Sequence, residues 1–244
     1  HTDDASIDEL AAGCSKRNIR TIIPTRDGEL AFWAKHLSRF AEAGMEVIVS
    51  PAPSVEICLD KLAFARFGNS RGLPFIPADS SLDRLGGERF VVKERFGAAS
   101  RSMGINLNYT TALEHGATLD RPIYQPFVAG REISVDGWLD AACKIKGLVL
   151  RSRDHVVNGE SQITTTFRDA RLTARCIEIF EALHLRGPVM LQALIDEHNG
   201  LHIIECNSRF GGASTASIAA GRVMPAWLEF WSNMSAPFCH MEEK

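Results

Sequence analysis

Apolar and polar positions along the chain follow helical spacing in some segments and strand spacing in others. Apolar residues recur every three or four positions in the segments that we predict to be helices: 30–43, 55–68, 172–183 and 213–220. Short apolar runs bounded by turn residues predict extended segments or strands: 21–23, 46–50, 73–77, 90–93, 123–139 as two strands around a turn, 144–151, 189–195 and 201–207. Helices mixed with antiparallel hairpins indicate an α+β chain.

The first predicted strands and helix form a β–α–β unit, which is half of a parallel sheet layer. A complete layer of this type needs more strands upstream, and the chain begins at His1 rather than at a methionine. We therefore expect N-terminal sequence to be missing before this residue. Residues 1–18 have no pattern that assigns them to an element.

Composition narrows the class of protein. The 244 residues are 45% apolar, which is enough for a sizeable core, and the net charge of −3 provides no basic excess to neutralise nucleic-acid phosphates. No apolar run approaches the ~20 residues of a membrane span. The six cysteines are scattered, form no Cys-x-x-Cys pair and are typical of thiols in a reducing compartment. These features predict a cytoplasmic protein that binds neither nucleic acid nor a membrane.

The clearest candidate chemistry lies in two apolar strands joined by Asn-Gly at 199–200, the preferred pair for a two-residue hairpin turn. That turn would place Gln192 opposite Asn207, with Glu205 one step diagonal to Gln192. Glu205, Asn207 and Arg209 alternate and so share one face. An acid and two carboxamides that converge there suit a hard cation with oxygen ligands. The alternative is a solvated polar face, which does not explain two amides and one acid beside an arginine.

Lys93 ends an apolar strand, and the segment after it, 97–104, is rich in Gly, Ala and Ser. Small residues let backbone N–H groups approach phosphate oxygens closely. The segment is neither a Walker A loop nor a Rossmann fingerprint, because the lysine precedes the glycines. By itself the segment is equally typical of a flexible surface hairpin, and the neighbouring strand lysine favours phosphate binding.

The segment 125–132 contains Pro126, which cannot donate to a strand ladder and so leaves a free edge. A free edge offers a carbonyl and an N–H that the Watson–Crick edge of adenine can use. Glu132 follows Val128 by four residues across the predicted turn. Taken alone, the segment favours the alternative of an edge strand blunted by proline.

Two further sets of residues leave their function open. Gly211, Gly212 and Ser214 lead into the last predicted helix, whose N-terminal N–H groups suit an anion such as the carboxylate of an acceptor substrate. A glycine turn capped by Ser214 is an equal alternative. Charged residues before the last hairpin are interpreted as solvated, with the wall of a substrate pocket as the alternative: Arg151, Arg153 and Glu160.

In this order, the motifs resemble the ATP-grasp superfamily, particularly its branch similar to the large subunit of carbamoyl phosphate synthetase. The similarity extends from Asp60-Lys61 to Gly221. It comprises a helix carrying Asp-Lys, a strand lysine before a glycine-rich loop, the hinge pattern Val-x-x-x-Glu, and Gln followed by Glu-x-Asn-x-Arg. Two positions depart from the family pattern, since Gln125 replaces a glutamate and Ser208 replaces a proline.

The resemblance implies an ATP-grasp fold, in which two α+β subdomains clamp ATP. A partial α/β domain over residues 1–54 would precede it, and the ATP-grasp domain would occupy 55–244. Within that domain we expect a linker helix region, a small lid subdomain and a larger C-terminal subdomain: 55–85, 86–130 and 131–244.

Carried across by position, the resemblance implies contacts with the nucleotide. Lys61 and Lys93 would bind phosphate oxygens. The loop that closes over the phosphates would include Ser100, Ser102 and Gly104. The carbonyl of Pro126 and the N–H of Val128 would contact adenine, and Gln125 would lie beside them at the adenine site. Glu132 would bind a ribose hydroxyl.

The resemblance also implies the reacting centre. Gln192, Glu205 and Asn207 match the positions that bind Mg²⁺, with Mn²⁺ as an alternative ion. Arg209 resembles the arginine that contacts the transferring phosphate or the acyl phosphate, and we expect Arg209 and Lys93 to be catalytic. Substrate contacts are expected from Arg209, Gly211, Gly212 and Ser214.

The implied activity is that of an ATP-dependent ligase. It would activate a carboxylate as an acyl phosphate and join it to an amine, with an amino acid as the expected substrate, and would release ADP and phosphate. Two alternatives stay open: a kinase-like phosphotransferase and a nucleotide-binding regulatory module without turnover. The expected partners are small-molecule acids and amines, and a homodimer is an open alternative to a monomer.

Overall fold

The computed structural model describes residues 6–97, 102–157 and 159–220. The helices in those segments are α1 Ile7–Lys16, α2 Asp27–Lys35, α3 Leu37–Glu42, α4 Ala52–Leu59, α5 Lys61–Asn69, α6 Tyr109–Gly116, α7 Ala170–Ala182 and α8 Ser214–Ala219. The strands are β1 Thr21–Ile22, β2 Glu46–Val47, β3 Phe90–Glu94, β4 Gly104–Leu107, β5 Pro122–Pro126, β6 Arg131–Leu139, β7 Ile145–Val157, β8 Glu160–Phe167, β9 Gly187–Ile195 and β10 Leu201–Asn207. None of these helices is long and apolar enough to cross a membrane.

The strands form three sheets, and this arrangement confirms the α+β class. β1 and β2 pair in parallel, β4-β3-β5 form an antiparallel sheet, and β10-β9-β6-β7-β8 form a larger antiparallel sheet. β5 and β6 are neighbours in sequence but belong to different sheets, so the predicted turn between them is a link from one sheet to the other. A Cβ on Gly130 in this link would lie 2.7 Å from the Ile195 carbonyl oxygen, so a larger residue would not fit at this crossing.

One face of the five-stranded sheet forms the main hydrophobic core. α7 covers that face with a stripe at helical spacing, formed by Leu172, Cys176 and Ile179. Buried apolar residues of the central strands, including Val135 and Leu191, pack beneath it. Because the apolar positions of each strand alternate, the other face of the sheet is left with the polar positions.

The N-terminal unit has its own core, formed by residues such as Leu30, Phe40 and Val55. α1 packs against it through Ile7, Leu10, Ala11 and Cys14, although its helical spacing went unassigned in the sequence. A small apolar cluster joins the N-terminal unit to the five-stranded sheet: Ile48, Trp138 and Val149, with Ile23 and Phe210 against them.

The predicted helix over 55–68 is wrong as a single element, because it is interrupted at Asp60. The backbone of Asp60 is extended. Its side-chain Oδ1 caps α5 by accepting hydrogen bonds from the N–H groups of Leu62 at 3.0 Å and Ala63 at 3.2 Å. Arg95 donates to the same carboxylate from Nε at 2.8 Å and from Nη2 at 2.5 Å. Lys61 therefore begins a helix whose position is held from the end of β3.

Other boundaries also differ from the prediction. The helix expected over 30–43 is divided at His36 into α2 and α3. β7 is longer than predicted, and four elements were not predicted at all: α1, β4, α6 and β8. α6 was missed because it carries few apolar residues, with Ala112 and Gly116 as its buried positions.

Candidate functional site

The strands that carry the predicted metal ligands pair in a register different from the predicted one. Gln192 lies opposite Glu205, and Asn207 lies opposite Met190, so the predicted Gln192–Asn207 pairing is wrong. A β-bulge between Ile203 and Glu205 shifts the register. The shift brings the acid and the first carboxamide directly opposite each other on neighbouring strands.

The loop between β9 and β10 explains part of this difference. It spans residues 196–200 rather than two residues, because the Asp196 side chain accepts hydrogen bonds from the N–H groups of His198 at 2.9 Å and Gly200 at 2.7 Å. Asn199 adopts the left-handed region with φ of 61°. The longer loop is thus stabilised by the side chain of Asp196, whereas the prediction of a two-residue turn was based on Asn-Gly alone.

The bulge also determines which face each residue occupies. Ile203 and Cys206 are both buried in the main core although they are three residues apart. The extra residue of the bulge makes this spacing compatible with one face. Glu205 and Asn207 consequently point to the opposite face, as predicted from their alternation.

That opposite face, which we call the polar face, carries side chains in two rows across the sheet. Arg151, Ser134, Gln192 and Glu205 occupy successive paired positions from β7 to β10. The next row comprises Val149, Asp136, Met190 and Asn207. The row pattern places Glu205 and Asn207 at the β10 edge of the polar face.

Lys93 approaches Glu205 from the three-stranded sheet. Its side chain is only 7% exposed, and it makes no hydrogen bond with any residue that the structure describes. Burial lowers the pKa of Lys93 to about 8, the charge of Glu205 partly offsets this effect, and the charge of Lys61 adds to it. The two lysines and the glutamate therefore form one electrostatic cluster, although they come from three different elements.

Lys61 lies on the other side of this cluster. Its Nζ donates a hydrogen bond to the carbonyl of Gly97 at 2.6 Å, at the start of the glycine-rich segment. Burial lowers the pKa of Lys61, and the charges of Glu205 and Asp27 are the largest opposing effects. The lysine that begins α5 is thus close to both the predicted metal ligand and the predicted phosphate loop.

Glu132 joins the polar face next to Gln192. Its Oε1 accepts a hydrogen bond from Gln192 Nε2 at 3.1 Å and lies 3.2 Å from Arg153 Nε. Burial raises the pKa of Glu132 most, Arg153 and Gln192 oppose this, and Glu205 adds to the increase. The contact of Glu132 with a ribose hydroxyl stays a prediction.

The predicted adenine contacts lie where β5 leaves the three-stranded sheet. Gln125 is buried, and its Nε2 donates to the carbonyl of Ile76 at 3.3 Å, so this amide is used within the protein. Pro126 pairs with Phe90 at the start of β3, and the half-buried Val128 lies in the link that follows. Their contacts with adenine stay predictions.

The predicted phosphate loop is described only in part. Ser100 lies outside the described residues. Ser102 has a φ of 57°, and its carbonyl oxygen is 2.9 Å from Nε2 of His115. Gly104 is buried at the start of β4, where a Cβ would lie 2.6 Å from the Leu107 side chain. This glycine is therefore explained by packing, and its role toward phosphate stays a prediction.

Arg209 lines a cavity of about 560 Å³. Its Nε donates to Asp27 Oδ1 at 2.7 Å and its Nη2 donates to Asp27 Oδ2 at 2.5 Å, which makes a bidentate pair. The cavity is lined by Thr25, Arg26, Asp27 and Gly28 on one side and by Arg209, Phe210, Gly211 and Gly212 on the other. Asp27 had no predicted role, although a polar residue between a parallel strand and the next helix is a usual signal for a ligand site.

Ser214 and Arg151 belong to a buried network centred on Asp136. Arg151 Nε donates to Asp136 at 2.5 Å, Ser214 Oγ donates to it at 2.8 Å and Ser217 Oγ donates to it at 2.5 Å. Arg151 is 1% exposed, so its interpretation as a solvated charge is wrong. Ser214 is buried and also accepts from the Gly211 N–H at 2.9 Å, and it is not among the residues that line the cavity.

The alternative of a glycine turn capped by Ser214 fits the structure, because Ser214 Oγ accepts a hydrogen bond from the Gly211 N–H and the Ser214 N–H donates to the Gly211 carbonyl at 3.2 Å. Ala213 is the N-cap of α8 and provides no side-chain cap. Gly211 is required for packing, because a Cβ there would lie 2.4 Å from the Met190 sulfur. The glycine segment thus lies tightly against β9 before α8 begins.

Replacing Arg151 with alanine is expected to destabilise the protein by about 3–5 kcal/mol, because Asp136 would keep a buried charge without its cation. Urea unfolding measures this loss. Arg39→Ala is the control, since Arg39 pairs with Asp8 on the surface and such exposed pairs contribute little to stability. Equal losses for the two variants would contradict the assigned importance of the buried network.

The residues at the β10 edge fit a hard divalent cation. Within segments 6–97, 102–157 and 159–220, no three His, Cys, Asp or Glu side chains form a metal-binding group. A cation would be held by the carboxylate of Glu205 together with the carboxamides of Asn207 and Gln192. The side chains of Glu205 and Asn207 make no hydrogen bond with the described residues, which leaves their side-chain oxygens available as ligands.

Comparison with known proteins gives one match to a family. Residues 119–230, just under half of the chain, match a family described as ATP-grasp in the biosynthetic pathway with Ter operon. A comparison with curated protein sequences gave no match.

Several solved structures have a similar fold. Biotin carboxylase from Campylobacter jejuni, in a complex described as β-γ-ATP, is 16% identical with a TM-score of 0.74, and the match covers 95% of this chain and 58% of that one. D-alanine–D-alanine ligase from Coxiella burnetii is 17% identical with a TM-score of 0.64, and the match covers 86% of this chain and 66% of that one. N5-carboxyaminoimidazole synthetase from Staphylococcus aureus, complexed with ADP, is 19% identical with a TM-score of 0.68, and the match covers 89% of this chain and 60% of that one. The chain thus spans less than two thirds of the length of each of these structures.

Proposed function

We propose that this chain, which has the ATP-grasp fold, acts in an ATP-dependent ligase that activates a carboxylate as an acyl phosphate and joins it to an amine. The observation that carries the proposal is the cluster of Glu205, Asn207 and Lys93. The acid and the carboxamide share one face of β10, with Glu205 opposite Gln192, and the buried lysine on the other sheet lies close enough for its pKa to respond to the charge of Glu205. This arrangement supports a site for a metal-bound phosphoryl group.

The resemblance to the ATP-grasp superfamily is confirmed at the level of fold by the family match and the solved structures. The assignment of subdomains within the chain stays part of the proposal. We assign a lid to residues 86–130 and the larger part of the clamp to residues 131–244, after an N-terminal domain over 1–54. The link at 127–130 would serve as the hinge that contacts adenine.

The reaction requires charge neutralisation, because a carboxylate must attack a phosphate that is itself an anion. Two unit charges ~4 Å apart at an effective dielectric of ~20 repel by about 4 kcal/mol. That repulsion corresponds to roughly three powers of ten in rate. Glu205, Asn207 and Gln192 would hold Mg²⁺ or Mn²⁺, which supplies positive charge and orients the terminal phosphate.

The chain's own cations would complete this neutralisation. Lys61 and Lys93 would hold phosphate oxygens, and Arg209 would contact the carboxylate or the acyl phosphate. The segment 97–104 would exclude water, which otherwise hydrolyses an acyl phosphate. None of these roles requires a protein nucleophile.

The test is a screen for ADP formation with amino acids and other carboxylic acids, with and without amines. We expect ADP and phosphate to form only when both an acid and an amine are present. Formation of AMP and pyrophosphate would contradict the proposed reaction. ADP formation with one substrate and no amine would favour the phosphotransferase, and nucleotide binding without turnover would favour the regulatory module.

A further inference from the structure

The wall of the cavity beside Arg209 carries charges of both signs, from Arg26, Asp27 and Arg209. The bidentate pair between Asp27 and Arg209, which we call the Asp27–Arg209 pair, joins residues that are 182 positions apart. Their side chains are 21% and 18% exposed, so both charges are largely removed from water. The third contact of Arg209 is the donation from Nη1 to the Phe210 carbonyl at 2.8 Å.

The cavity adjoins the proposed nucleotide site. Arg209 follows Asn207 by two residues at the end of β10. Asp27 is near enough to Lys61 for its charge to raise the pKa of that lysine. A molecule held by the Asp27–Arg209 pair would therefore lie beside the phosphate-binding lysines.

The Asp27–Arg209 pair restricts which ligands can bind in the cavity, because a ligand that takes one member of the pair leaves the charge of the other member unpaired. A simple carboxylate that takes Arg209 removes the cation from Asp27, and an uncompensated, largely buried carboxylate is costly. A zwitterion exchanges both partners at once, because its carboxylate takes the arginine and its ammonium takes the aspartate. The cavity volume of about 560 Å³ is ample for such a small molecule.

We propose that the Asp27–Arg209 pair recognises the carboxyl donor of the reaction, and that this donor is an α-amino acid bound as a zwitterion. The inference rests on the proposed function and adds the chemical class of the activated substrate. It also assigns Asp27 as the residue that determines specificity for the ammonium group.

The assignment has a chemical consequence. An oxygen of the donor carboxylate forms a bond to the γ-phosphorus of ATP, and the bond from that phosphorus to the bridging oxygen breaks, so ADP leaves with the electron pair. A second amine then attacks the acyl carbon, loses a proton to solvent and displaces phosphate. The donor's own nitrogen keeps its proton beside Asp27 and has no lone pair to attack with, so the product retains a free α-amino group.

Hydroxylamine trapping tests the donor directly, because hydroxylamine converts an acyl phosphate into a hydroxamate and releases phosphate. The probes are the L- and D-forms of the common amino acids and the matching acids without the amino group, such as propionate for alanine. With the unmodified protein, we expect kcat/KM for the best amino acid to exceed that of its deaminated counterpart by about tenfold to a hundredfold.

Asp27→Asn is expected to reduce that ratio by about tenfold or more, through a higher KM for the amino acid. Asp27→Glu keeps the charge and is expected to retain the preference for the amino acid. Glu46→Gln is the matched control, because Glu46 also pairs with an arginine, Arg186 at 2.5 Å, from the second half of the chain but lies outside the cavity lining. The control variant is expected to keep the ratio.

The outcomes separate the two proposals. Equal activation of amino acids and deaminated acids, unaffected by Asp27→Asn, would overturn the zwitterion assignment and leave the ligase proposal standing. Failure of every acid to form a hydroxamate would contradict the ligase proposal and this assignment with it. An equal loss of the ratio in Glu46→Gln would show that Asp27 acts only by joining the two parts of the chain.

Discussion

Replacing Lys93 with methionine is expected to make the protein more stable and to abolish most of its ATP-dependent turnover. Burial lowers the pKa of Lys93 to about 8 from the ordinary 10.5, and that difference corresponds to about 3 kcal/mol. The folded protein bears this cost whenever the lysine is charged. Methionine fills the same space without a charge, whereas the loss of a cation beside the phosphates is expected to reduce kcat by about 10²–10³-fold.

The pH dependence of stability has a definite sign. Between the pKa of about 8 in the folded protein and 10.5 in the unfolded chain, the unfolded chain binds more protons at this lysine. The contribution of Lys93 to the free energy of unfolding therefore rises as the pH increases through that range, and the full penalty is present below it. Lys93→Met is expected to lack this increase.

Urea unfolding near neutral pH and at about pH 10 measures both effects. Lys16→Met serves as the control, because Lys16 is exposed and such substitutions change stability by about 0.5 kcal/mol or less. A Lys93→Met protein that is less stable than the unmodified protein near neutral pH would contradict the assignment of a buried, destabilising charge. Retained turnover would remove Lys93 from the phosphate site.

Replacing Glu205 with glutamine is expected to lower kcat by roughly three powers of ten. The substitution preserves shape but removes the one carboxylate of the proposed cation site, and with it an attraction of about 4 kcal/mol between opposite charges. Lys93 also loses the negative charge that supports its protonated form. Both effects reduce the positive charge held at the terminal phosphate.

The measurement is kcat together with the Mg²⁺ concentration needed for half-maximal turnover, which is expected to rise. Glu197→Gln is the matched control, because Glu197 lies on the exposed loop between the same two strands and is 87% exposed. Unchanged turnover in Glu205→Gln would remove Glu205 from the metal site. A loss of Mg²⁺-dependent nucleotide affinity, with no turnover even in the unmodified protein, would indicate a binding module instead.

Local patterns in the sequence correctly predicted many of the helices and strands. The apolar stripe of α7 and the two apolar strands of the last hairpin lie within a few residues of their predicted bounds. The alternation along β10 also correctly placed Glu205 and Asn207 on one face. These predictions succeeded because side-chain periodicity depends only on neighbouring residues.

Features that depend on a single side chain in a loop escaped the sequence patterns. The Asp196 side chain stabilises a five-residue loop where Asn-Gly predicted two residues, and a bulge at Ile203 then resets the strand register. Asp60 interrupts a helix whose apolar spacing continues through it. In both places an aspartate side chain accepts hydrogen bonds from backbone N–H groups, and these bonds compete with the regular pattern.

The sequence by itself determined the α+β class, the order of the motifs and the oxygen-rich face of the last hairpin, because these follow from local periodicity and spacing. Only the tertiary structure decided that Arg151 is buried against Asp136 and that Arg209 is paired with Asp27. These charges become partners through folding of segments far apart in the chain. Their burial and pairing depend on which segments fold against each other, and local sequence patterns do not predict contacts between distant segments.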